Sequence, residues 1–68
     1  MTTTAAIADL LRSLPGADAP LVTRAAWFDR KADVFDQVAD VGGPEAAEAR
    51  RLALRARVTA ALIRRGRA

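Results

Sequence analysis

Four aspartates, Asp29, Asp33, Asp36 and Asp40, recur at steps of four, three and four within the stretch WFDRKADVFDQVAD. On a helix of 3.6 residues per turn that spacing brings all four carboxylates to one face. Such an array has three chemical uses: oxygen ligation of a hard cation, proton transfer, or pairing with a basic surface. A second charged array follows it, because Arg50, Arg57 and Arg64 stand seven residues apart and also share a face. The chain holds 11 Lys and Arg against 8 Asp and Glu, net +3, so clustering of the minority charge asks for a cause.

Most catalytic and metal chemistries are disfavoured by what the chain lacks. There is no cysteine and no histidine, which removes disulfides, thiolate ligands and thiol nucleophiles, the commonest transition-metal ligand and the commonest general base. Ser13 is the sole serine and tyrosine is absent. Lys31 sits among acids that favour its ordinary charged form. Carboxylate metal sites in bundles draw ligands from several helices and include histidine. Outside the aspartate run, the later part of the chain supplies only Glu45 and Glu48, beside a turn. Gly42-Gly43 lacks the pattern of a phosphate loop. The expectation is therefore a non-enzymatic chain with no metal and no cofactor.

Elements that could position the charges are marked by simple punctuation. Pro15-Gly16 and Gly42-Gly43-Pro44 are the strong breakers, and neither alternating β-branched runs nor hairpin dipeptides occur. This predicts three helices, at about 4–14, 19–41 and 44–65, in a single small domain covering 1–68. The first is capped by Thr3 or Thr4 and carries Ile7, Leu10, Leu11 and Leu14 as one stripe. The second is capped by Asp18 and ends where Gly42 adopts the left-handed conformation. The third begins at Pro44-Glu45, with acid at its positive end and Arg64, Arg65 and Arg67 at its negative end. A join of two or three residues makes the long pair an antiparallel hairpin. The fold class expected is all-α: a short helix laid across a long helical hairpin, a three-helix mini-bundle that dimerises.

On the second helix Leu21, Ala25, Phe28, Ala32, Phe35 and Ala39 form a heptad-like seam. On the third, Leu52, Ala56, Thr59 and Ile63 form one strip and Leu54, Val58, Ala61 and Leu62 another. Closing the hairpin at the diglycine puts residues whose numbers add to roughly 86 at one level, since both helices rise equally per residue. With the phenylalanines facing the Leu52/Ile63 strip, right-handed winding brings the aspartates and Arg50, Arg57 and Arg64 out on the same side. Asp36 then meets Arg50, and Asp29 meets Arg57. The acids are thus expected to pair with arginines along an outer edge.

The same winding leaves Trp27, Val34 and Val38 and, on the third helix, Val58 and Leu62 on another side of the hairpin. These five are the expected partner interface, with Trp27 as anchor, since large aromatics dominate such contacts. A core beneath the first helix is the competing place for Trp27. The partner is a second copy or another protein. The alternative is an accessory nucleic-acid-binding role in which Arg51, Arg55, Arg64, Arg65 and Arg67 touch phosphates. Residues 41–68 are net +5 and residues 1–40 net −2, which suits that reading. An Ala/Arg-rich, Lys-poor composition also follows from a GC-rich, bacterial type of genome, which weakens arginine abundance as a signal. In style the chain resembles short helical accessory proteins of bacterial mobile elements and regulators, antitoxin-like modules among them. No motif carries a residue's role over from them. No apolar run reaches the roughly 18 to 20 residues that span a bilayer, the first residues lack a basic leader, and a cysteine-free chain fits a cytoplasmic location.

Overall fold

A computed structural model describes residues 3–66. Three helices make it up: α1 (Thr3–Arg12), α2 (Leu21–Val41) and α3 (Ala46–Arg64), with no strand among the described residues. The class is all-α, and α2 and α3 form the expected antiparallel hairpin. Gly42 and Gly43 close it with φ of 86° and 92°, positive values at which a Cβ would be strained, although ψ of −166° takes Gly42 away from the αL form expected of it. The Gly42 N–H donates to the Ala39 carbonyl at 3.0 Å, capping the end of α2.

The ends differ from expectation at four places. α1 stops at Arg12, two residues short, because Pro15 pushes residue 14 out of the helical region. Thr3 and Thr4 already lie inside its first turn. α2 starts at Leu21 with Pro20 at its cap, so Asp18 does not cap it. Glu45 caps α3 without a side-chain hydrogen bond.

The seam is built from small side chains. On α2 it is Ala25, Ala32 and Ala39. On α3 it is Ala49, Ala53, Ala56, Ala60 and Ile63, spaced four, three, four and three. Ala25 packs with Ala60 and Ile63, and Ala32 with Ala53 and Ala56, as the expected register requires. Methyl-sized contacts allow two helix axes to approach toward the near end of the usual range of about 8–10 Å. This corrects the α3 strip expected at Leu52, Ala56, Thr59 and Ile63. Ala56 and Ile63 are in the seam, whereas Leu52 and Thr59 lie beside it, half-buried. Phe28 and Phe35 are half-buried too and flank the alanines, and Phe28 packs against all three core clusters. Leu21, expected to lead the seam, is exposed.

α1 packs on α2 and makes no contact with α3. The helices thus form an open row with α2 in the middle, and α1 does not lie across the hairpin. Ala6 and Leu10 meet Trp27 and Val34, while Ile7, Leu11 and Leu14 stay exposed. The Leu10 carbonyl is among the last four of α1, which have no partner within the helix. The Trp27 indole Nε1–H donates to it at 2.9 Å, 17 residues away in sequence. Ser13 Oγ also donates to this carbonyl, at 3.2 Å, and the tryptophan adds a second donor together with apolar surface. The radius of gyration is 12.4 Å, against about 11 Å for a compact chain of this length.

Candidate functional site

The aspartate stripe and the arginine stripe meet on one edge of the hairpin. Arg57 donates to Asp36 at 2.7 Å and to Asp33 at 3.2 Å, and Arg64 donates to Asp29 at 2.6 Å. Arg50 bonds Asp40 at 3.1 Å and lies 3.9 Å from Asp36. The Asp36–Arg50 pairing is therefore present, but Asp29 takes Arg64 in place of Arg57. Helical side chains lean toward their own N-terminus, so each arginine of α3 leans toward the turn and reaches an aspartate farther along α2. The seam keeps the expected level while the charges slide along it. The Asp36 hydrogen bond is the main cause that raises the Arg57 pKa above the ordinary guanidinium value, which leaves that residue charged at any working pH. These pairs are exposed, so water screens them and each contributes little on its own. All four carboxylates are engaged by arginine, and among the described residues no three side chains of the His, Cys, Asp and Glu types converge as metal ligands.

Of the five residues expected at a partner interface, the structure gathers two beneath α1. Trp27, only 7 % exposed, and Val34 are core residues within one chain. Their face is the one that α1 covers, so neither is accessible as an anchor. Val38 is half-buried on α2. Val58 and Leu62 lie with Leu54 on the outer face of α3, the side turned away from α2, and Leu54 and Val58 are 62 % and 51 % exposed. Among the described residues no helix covers them.

The candidate phosphate contacts divide as well. Arg64 is committed to Asp29, and Arg51 pairs with Glu48 one turn earlier at 3.2 Å. Arg55 and Arg65 have no ion pair among the described residues. Arg67 lies outside the described residues.

One surface escaped the sequence reading. On the side of the hairpin away from the Asp/Arg edge, a groove runs between α2 and α3. Its first segment, about 380 Å³, is floored by Phe28, Leu52 and Ala56 and edged by Lys31 and Arg55. Its second, about 240 Å³, is floored by Phe35, Val38 and Leu52 and edged by Glu45 and Glu48. Leu52 is common to both. Lys31 also rests 5.7 Å from the ring centroids of both Trp27 and Phe28, within cation–π range. A sequence signal for this groove did exist. Phe28, Lys31, Phe35 and Val38 advance by three, four and three, and Glu45, Glu48, Leu52, Arg55 and Thr59 by three, four, three and four. Both are heptad rows, obscured because each mixes apolar and charged residues.

Among the described residues no helix is long and apolar enough to cross a membrane. No protein-family model matches this chain, and neither a curated protein nor a solved structure shows significant similarity to it.

Proposed function

We propose that this protein is a non-enzymatic protein–protein interaction module that works through the apolar surface of its helical hairpin. One observation carries the reading: folding inverts the usual distribution of side-chain size. Eight of the twelve buried apolar residues are alanines, while nine large apolar residues are exposed among the described ones. Each large aliphatic residue gains roughly 1.5–3 kcal/mol when fully buried, and this chain leaves that gain unrealised along the outer face of α3 and on α1, and only partly realised in the α2/α3 groove, whose Phe28, Phe35, Val38 and Leu52 are half-buried. A 68-residue chain without disulfides generally draws stability from a partner. A photo-reactive amino acid at Leu54 or Val58, with Asp33 on the charged edge as control, tests this in the source cells. Protein adducts at the first two positions that exceed those at Asp33 are expected. Equal or absent adducts contradict docking of another protein through the outer face of α3.

The second reading is contact with nucleic-acid phosphates. Arg55 and Arg65, without an ion pair among the described residues, favour it, with Arg51 on the same helix held by Glu48 alone. Such contact is independent of sequence and steeply salt-dependent. Binding to duplex DNA at about 50 mM salt, lost in Arg55→Ala/Arg65→Ala and retained in Leu54→Glu, would favour it over protein docking.

A further inference from the structure

The α2/α3 groove is charged unequally along its length, and that polarity specifies an occupant. Its half away from the turn carries Lys31 and Arg55, one on each helix. Its half near the turn carries Glu45 and Glu48. Arg55 and Glu48 are seven residues apart on α3, about 10 Å along the axis. Lys31 stands level with Arg55, because their numbers fit the register that Ala32 and Ala53/Ala56 establish. Midway between the cationic and acidic levels lie Leu52 on α3 and Phe35 on α2, both half-buried and both on the groove floor.

We propose that this groove binds a second copy of the chain, antiparallel, about a two-fold axis that passes beside Leu52 and Phe35. This rests on the interaction-module reading and names its partner. The rotation sets α3 on α3 and α2 on α2, which brings Glu48 of each copy against Arg55 of the other, twice over, with Lys31 and Glu45 at the same levels across the groove. It stacks Leu52 and Phe35 on their own equivalents and completes a four-helix arrangement around the groove floor. A parallel stack would set Lys31 and Arg55 against themselves and Glu45 and Glu48 against themselves, and like charges in juxtaposition are disfavoured. The mixed heptad rows on α2 and α3 match this geometry, since flanking charges choose partner and orientation in paired helices. The Asp/Arg edge has no such role, because its charges are matched between the two helices of one chain, whereas Glu48 is held only by Arg51 of its own helix in an exposed pair that a partner's cation can share.

Two charge-reversed variants test the arrangement, Glu45→Lys/Glu48→Lys and Lys31→Glu/Arg55→Glu. The parent should dissociate on dilution in sedimentation equilibrium. Each variant alone should keep its helical circular dichroism and self-associate at least about tenfold more weakly. Their equimolar mixture should regain the parent's affinity as a mixed dimer, because both charge contacts are then complementary. If Lys31→Glu disturbs the fold by removing the ammonium from Trp27 and Phe28, Arg55→Glu alone replaces it. A parent that is monomeric throughout overturns the proposal. So do variants that associate as the parent does, or a mixture no tighter than its components. A monomeric parent that still cross-links to another protein through Leu54 or Val58 leaves the interaction reading standing, whereas failure of that cross-linking with an intact dimer removes hetero-partners alone.

Discussion

Ala60→Leu is the sharpest perturbation of the fold, because a conservative-looking gain in hydrophobicity should destabilise it. Ala60 is fully buried between Ala25 and Ile63, where the two backbones come close enough for methyl groups to touch. A leucine there adds three carbons with no space to receive them. Overpacking of a tight core typically costs about 1–3 kcal/mol. A chain of this size has roughly 3–10 kcal/mol in all, so the loss is a large share. The matched control is Leu54→Ala, which deletes the same three carbons from an exposed position. It should stay within about 0.5 kcal/mol, and the better helix propensity of alanine leans the same way. Urea melts followed by circular dichroism, with both variants at one dilute concentration, separate the two. Equal concentrations matter because a second copy that binds only the folded state raises apparent stability by mass action. With a slope near 1 kcal/mol per molar urea, Ala60→Leu should lower the midpoint by about 1–3 M and Leu54→Ala by less than about 0.5 M. A larger loss from Leu54→Ala than from Ala60→Leu would refute the alanine seam and return the core of α3 to its leucines.

Two further outcomes concern the docking of α1 and the charged edge. Trp27→Phe removes a donor to the Leu10 carbonyl and one ring of a buried indole, at a cost of about 1–3 kcal/mol. Amide hydrogen exchange should quicken in α1 ahead of α2 and α3, since α1 is held by α2 alone, and a uniform increase across all three helices would contradict that. Asp36→Asn, which faces both Arg50 and Arg57, should cost no more than about 1 kcal/mol. Added salt should shrink the gap between variant and parent, because screening weakens exposed pairs, and a gap that persists at high salt would mean the edge does more than orient the hairpin.

Helices, their order and the register of the hairpin were legible before any coordinates. Pro15-Gly16 and Gly42-Gly43-Pro44 are local signals, and local signals survive folding. The shared edge of aspartates and arginines was legible for a related reason. Once two helices are antiparallel, right-handed winding alone relates one stripe to the other. The identity of the seam residues on α3 was not legible. That helix carries apolar side chains around most of its circumference, so periodicity names several strips without saying which one faces inward. The tertiary structure selects the alanines, because a two-helix contact gains more from close approach along its whole length than from a few large side chains held farther apart. The place of Trp27 was likewise settled in three dimensions. Its fate depended on α1 docking behind α2 and on a carbonyl at the end of α1 that takes no bond from the helix's own backbone, a relation across 17 residues that no local pattern encodes. Which charges remain free for a partner follows from the same long-range geometry. Arginine side chains lean toward their helix N-terminus, Asp29 captures Arg64, and Arg55 is left on the groove with Lys31.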